Sequence, residues 1–267
     1  MTEIGWGAFF GCCDLTSIEI PDSVKDIGTS AFYGCSGLTS IEIPDSVKYI
    51  GTGAFSGCSR LTRIDVSLDN SNYLSEYGVL YDRNKRKLIC VPEVIKGDFV
   101  IPSSVTTIEY HAFEGCSGLT SINIPSSVTW IGECAFEGCS GLTTIEIPNS
   151  VTKIERCAFS DCSGLTSIEI PNSVTKIGDY AFDNCSGLTS IKIPSSVTSI
   201  GERAFKGCRG LREVHCRIKN IKSISIDNDI LEGCSLSECT LYVPIGTGYA
   251  YRHHPVFSQF KEVVIEK

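Results

Sequence analysis

The sequence predicts a single-domain solenoid of stacked coils, built mostly from short parallel strands with little helix. Three observations carry this reading. A 23-residue unit recurs, its first Ile falling at Ile18, Ile41, Ile64, Ile122, Ile145, Ile168 and Ile191, with Val214 a variant. The string Ala-Phe-x-x-Cys appears eight times, from Ala8-Phe9 to Ala204-Phe205. No single unit can bury its own apolar face, so the units must stack. With parallel strands about 4.8 Å apart, about ten coils make a curved rod roughly 45–50 Å long.

Within a unit, Leu-x-x-Ile-x-Ile-Pro (Leu165 to Pro171) alternates apolar and polar, as a half-buried strand does. The Pro ends pairing because it lacks a ladder donor. Asp, Asn or Ser followed by Ser supplies turn chemistry. Val174 and Ile177 return the chain to the core, and Ala-Phe begins a short helical or irregular corner. Two positions after Phe come Gly11, Gly34, Gly57, Gly115, Gly138 and Gly207, with Asp161 and Asn184 in two coils. These residue types tolerate a left-handed backbone, which is expected there.

The period breaks twice. Ile64 to Phe99 is 35 residues, 12 more than one repeat, and the stretch around Asp82-Arg83-Asn84-Lys85 reads as a hairpin inserted in one coil. After Val214 the pattern decays, then recovers at Cys239–Pro244. The expected organisation is therefore 1–66, N-terminal repeats lacking a cap; 67–98, the hairpin insert; 99–216, regular repeats; and 217–267, an irregular coil and C-terminal cap. Terminal coils of solenoids are atypical because they cover an open core. The chain enters mid-repeat at Ile4-Gly5, so an upstream continuation or another covering surface is expected. Met1-Thr2-Glu3-Ile4-Gly5 has neither the basic nor the apolar region of an export signal.

Lys plus Arg is 23 and Asp plus Glu is 31, for a net charge of −8. That sign opposes general nucleic-acid binding. No apolar run approaches the roughly 20 residues of a membrane-spanning helix. Fifteen Cys is an odd number, so at least one thiol is unpaired or paired outside the chain.

The motif Ile-x-Ile-Pro-x-Ser-Val-Thr-x-Ile-Gly-x-x-Ala-Phe-x-Gly-Cys-Ser-Gly-Leu-Thr-Ser, repeated along nearly the whole chain, resembles the BspA-like (Treponema pallidum type) leucine-rich repeats. Tyr77-Gly-Val-Leu-Tyr81 with Leu88-Ile-Cys-Val-Pro92 resembles a module common in that family. Cys239-Thr-Leu-Tyr-Val-Pro-Ile-Gly-Thr247 is similar to C-terminal caps of such proteins from gut Bacteroidales. The resemblance implies a leucine-rich-repeat solenoid of the right-handed α/β-type horseshoe form. It also implies a cell-surface or secreted adhesin that binds host or bacterial surface proteins, or glycans, and it supplies no catalytic residues.

One candidate site is the concave stripe. If Ile168 and Ile170 point inward, their neighbours point out. The outward position is Glu19, Glu42, Asp65, Asn123, Glu146, Glu169, Lys192 and His215; the one before it includes Ser17, Ser40, Ser121, Thr144, Ser167 and Ser190. Stacked carboxylates repel, which suggests docking of a basic partner or a cation; a solvated face copied by duplication is the alternative. A second candidate is the hairpin tip, with Arg83, Lys85, Arg86 and Lys87.

The periodic Cys12, Cys35, Cys58, Cys116, Cys139, Cys162, Cys185 and Cys208 read as buried free thiols. Cys134 and Cys157 share a second repeat position, so they could lie near one another. Paired Cys-x-x-Cys is absent, so no metal site is expected, nor any cofactor. An enzyme would need a pocket with convergent titratable groups, and the sequence nominates none. A passive spacer displaying another domain is the rival to a binding module.

Overall fold

The computed structural model describes residues 1–266. The chain winds as a parallel β-solenoid of about 11 turns of about 23 residues. The one α-helix among the described residues is Gly248–Arg252.

Two columns of strands run along the rod. The longer is an eight-stranded parallel sheet with strands Gly97–Val100, Leu119–Asn123, Thr144–Glu146, Ser167–Glu169, Ser190–Ile193, Glu213–Cys216, Thr240–Pro244 and Glu262–Glu266. Its register steps by one repeat: Ile122 pairs with Ile145, then Ile168, Ile191 and Val214. The second column consists of two-residue strands such as Lys153–Ile154, Lys176–Ile177 and Ser199–Ile200. Ile177 therefore does more than return the chain to the core, because its segment also joins a ladder.

From the second turn on, nearly all the inward Ile, Val, Leu, Ala, Phe and Cys are buried, whereas Ala8 and Cys12 of the first turn are exposed and Phe9 is half-buried. Phe rings of successive turns stack nearly parallel at 5.0–5.7 Å, in one run from Phe9 through Phe32 to Phe55 and another from Phe113 to Phe205. All eight positions expected to be left-handed are so, with φ of 56–74°. Close stacking adds to the demand for glycine: a Cβ on Gly57 would lie 3.1 Å from the Gly34 nitrogen. A second left-handed column was not evident from the sequence. It holds Ser30, Gly53, His111, Cys134, Cys157, Tyr180 and Arg203, with φ of 51–61°.

The insert differs from a simple hairpin. Tyr73–Glu76, Val79–Asp82 and Lys87–Cys90 form an antiparallel meander, and its last strand rejoins the second column beside Thr107–Ile108. The middle strand is buried on both faces. Leu80 packs into the core formed by residues 4–80, while Val79 and Tyr81 pack into the core running on to Phe260. Both cores and both Phe stacks are separated at this seam.

At the far end, Thr240–Pro244 and Glu262–Glu266 pair over five residues. Tyr251 and Phe257 are buried against the last turns, and the Tyr251 hydroxyl donates to the Ile218 carbonyl at 2.8 Å.

Candidate binding surfaces

The long sheet presents a continuous outward row: Val100, Asn123, Glu146, Glu169, Lys192, His215, Tyr242 and Val264. Glu169 and Lys192 pair at 3.9 Å. His215 stacks on Tyr242 with ring centroids 4.5 Å apart, and its Nδ1 lies 2.5 Å from Glu266. The row thus runs from acidic to basic and aromatic, rather than being acidic throughout. Beside it, a hollow of about 330 Å³ is lined by Glu146, Asn149, Glu169, Asn172, Lys192 and Arg217. Ser121 donates to Asp98 at 2.6 Å, whereas Ser167 forms no side-chain hydrogen bond among the described residues. Beside this row, Thr hydroxyls ladder between turns, as when Thr166 donates to the Thr143 carbonyl.

The rest of the predicted stripe lies elsewhere. Ser40, Glu42 and Asp65 belong to a separate two-stranded sheet, Ser40–Ile43 with Arg63–Val66, and Ser17 and Glu19 are exposed and outside any strand. Asp65 is held by Arg63 at 2.8 Å. The insert covers the open edge of this sheet, with Ile64 N donating to the Gly78 carbonyl at 3.0 Å. The stripe is therefore two patches divided by the insert. At the hairpin tip, Lys85 pairs with Glu76 and Lys87 with Glu109, leaving Arg83 and Arg86 exposed and without a salt bridge among the described residues.

The seam opens a cavity that sequence reasoning missed, because it exists only where stacking is interrupted. Its volume is about 410 Å³, and its walls include Tyr49, Tyr73, Tyr110, Asn72, Lys87 and His111. His111 Nδ1 lies 2.8 Å from Glu114, which also accepts from the Tyr33 hydroxyl at 3.4 Å. Burial pulls the His111 pKa down, but the hydrogen bond and charge of Glu114, then Glu137 and Glu133, leave it raised. Behind the cavity the Glu93 carboxyl lies by the Gly57 backbone N–H, and its Oε1 is buried without a partner among the described residues. Burial and then repulsion from Glu114 push its pKa up to about 7. The seam does bring together histidine and carboxylates, the combination an enzyme would need. No Ser, Thr or Cys side chain hydrogen-bonds the His111 ring among the described residues; its ring partner is Glu114.

The periodic thiols are buried, except Cys12, which is exposed, and no cysteine is in a disulfide among the described residues. Each buried periodic thiol donates to a backbone carbonyl of the preceding turn, Cys162 to Phe136 at 3.1 Å and Cys185 to Phe159 at 3.1 Å. Cys12 has no such carbonyl over it.

A sequence model of the BspA type leucine rich repeat region, in six copies, matches residues 2–96, 95–212 and 175–251. A leucine rich cell surface protein from Faecalibacterium prausnitzii A2-165 is 38% identical, with a TM-score of 0.78 over 85% of this chain. The chain spans 60% of that structure's length. A leucine-rich repeat protein from Bacteroides ovatus ATCC 8483 is 30% identical with a TM-score of 0.59, covering 99% of this chain and 64% of that one. The pneumococcal vaccine antigen PcpA shares the fold, with a TM-score of 0.80 at 23% identity, covering 95% and 68% of the two chains. Among curated proteins no sequence match was found.

Proposed function

Because the chain belongs to the BspA-type leucine-rich-repeat family, we propose that it is a non-enzymatic protein-interaction module that docks a partner on the long sheet. The carrying observation is the hollow between Glu146 and Arg217, where two carboxylates adjoin Lys192 and Arg217 on a rigid row of strands. Glu146 and Glu169 would take a basic group of the partner, and Ser167 would supply an adaptable hydrogen bond. Stacked coils favour such use because they hold many side chains on one broad surface at little entropic cost. A surface location fits the description of the Faecalibacterium neighbour as a cell surface protein, and adhesion would be the outcome of docking there. Arg83 and Arg86 at the insert tip are the second docking candidate.

The test is a binding screen of the purified chain against extracellular-matrix proteins and mucins, beside an E146K/E169K variant. Binding lost in the variant, with circular dichroism unchanged, is the expected result. Binding retained moves the site to the insert, tested by R83E/R86E; no binding to any surface protein favours a passive spacer.

One observation favours a second reading, glycan binding. The seam cavity falls within the usual range for small ligands and sets three tyrosines beside Asn72, Asp82, Lys87 and Glu109, a mixture of apolar faces and hydrogen-bonding groups. A glycan array probed with the chain and with Y110A separates the two readings, since Tyr110 is remote from the hollow.

A further inference from the structure

Two neighbouring turns place cysteine at the same unusual corner. Cys134 and Cys157 have φ of 55° and 53°, a left-handed conformation that is strained for a non-glycine residue. The equivalent corners of other turns hold Ser30, Gly53, His111, Tyr180 and Arg203. This corner is one of the positions at which the near-identical coils differ. The ladder fixes both corners, with Cys134 N donating to the Arg156 carbonyl at 3.0 Å and Cys157 N to the Asp179 carbonyl at 2.9 Å.

Glu137, three residues after Cys134, completes the cluster. The two sulfur atoms and a Glu137 carboxylate oxygen all lie within 4.8 Å of one another. Two thiols and a carboxylate crowded together cannot all ionise without a compensating positive charge. Zn–S bonds of about 2.3 Å and Zn–O bonds of about 2.1 Å set tetrahedral donors roughly 3.5–3.8 Å apart, within reach of modest side-chain rotations. Soft sulfur donors select zinc-type cations over calcium or magnesium.

From this convergence we propose that Cys134, Glu137 and Cys157 together bind one thiophilic divalent cation, of which zinc is the representative, tying two successive coils together. Cys134 is buried, whereas Glu137 and Cys157 are half-buried. The site is thus anchored on the core side and open outward, leaving its fourth position to water or to a ligand atom of a partner. The sequence reading missed it because a Cys-x-x-Cys pair lies on one local loop, whereas these ligands meet only through the stacking of two turns.

The test uses the full chain, reduced and stripped of metal, titrated with Co²⁺ as a spectroscopic probe and then with Zn²⁺. One cobalt per chain is expected, with sulfur-to-cobalt charge-transfer bands and the visible bands of tetrahedral cobalt, all displaced by zinc. C134S and C157S should each abolish the bands. E137Q, which leaves both corner cysteines in place, should weaken affinity by about tenfold or more. C12S/C13S, which removes the exposed thiols, should leave the signal unchanged. Bands that persist in C134S/C157S, or no cobalt binding by the reduced chain, would overturn the proposal. So would a Cys134–Cys157 disulfide recovered by peptide mapping from protein prepared with zinc.

Discussion

At the residue scale, the repeated cysteine is a hydrogen-bond donor in apolar disguise. The Cys162 thiol reaches the Phe136 carbonyl 26 residues upstream, and the Ser173 hydroxyl reaches the Val151 carbonyl 22 residues upstream at 2.6 Å. These offsets straddle the repeat length, so both side chains bridge to the turn before their own. Replacing Cys162 with Ala removes a buried sulfur and its hydrogen bond, leaving the Phe136 carbonyl to the Cys139 backbone N–H alone, so a loss of about 1–2 kcal/mol is expected. Cys12→Ala, exposed and without that bond, should fall within about 0.5 kcal/mol of the parent. Denaturant midpoints of the two variants check this, and equal losses would refute the bridging role. Burial of the thiols was legible from their place among Ile and Phe. The acceptor was not, because it belongs to a backbone atom of another turn.

At the scale of elements, the insert interrupts a regular corner ladder. Gly34 N donates to the Ser56 carbonyl and Gly115 N to the Glu137 carbonyl, both at 2.8 Å. The corner that should receive Gly57 N is instead Val91-Pro92-Glu93, which brings the Glu93 carboxyl beside the Gly57 N–H. A buried carboxyl with a raised pKa stabilises the fold most when protonated. Its contribution is complete below about pH 4.5 and is lost as pH rises through about 7. His111, also raised, changes in the same direction. Glu93→Gln keeps an acceptor for Gly57 and removes the ionisation. The variant should therefore gain about 1–2 kcal/mol over the parent at pH 8, discounted for partial exposure, and nothing at pH 4. Thermal melts at the two pH values measure the difference, and a constant offset would refute it. Twelve residues beyond one repeat and the turn near Asn84 marked the insert in the sequence. Its first strand was hidden because Tyr73-Leu-Ser-Glu76 alternates weakly, and its tight turn is Tyr77-Gly78 rather than the usual Asn-Gly.

At the scale of the whole molecule, the 23-residue period disclosed the solenoid because every coil repeats one solution to one packing problem. The surface was less legible, since binding capacity depends on which outward charges remain unpaired. Asp65 is neutralised by Arg63 on its own strand, and Glu19 lies outside any strand, distinctions that periodicity does not carry. In a stacked array stability is shared mainly between neighbours, so a divided core implies two cooperative units. Hydrogen exchange should find the amides of Lys153–Ile154 and Lys176–Ile177 slowest, with Asp26–Ile27 and Tyr49–Ile50 opening together and earlier. A single protection level along the rod would show that the seam transmits cooperativity.

The parted Phe stacks also have a mechanical meaning. Over most of the rod, adjacent coils are riveted by two hydrogen-bonded columns and a file of aromatic rings. Between Phe55 and Phe113 the file is missing, and a hollow of about 410 Å³ replaces it. Pulled from its two ends, such a rod yields at its weakest joint. The insert makes that joint and fixes its position, so under load the coils before the seam are expected to part from those that carry the long sheet before either run of stacked rings is broken.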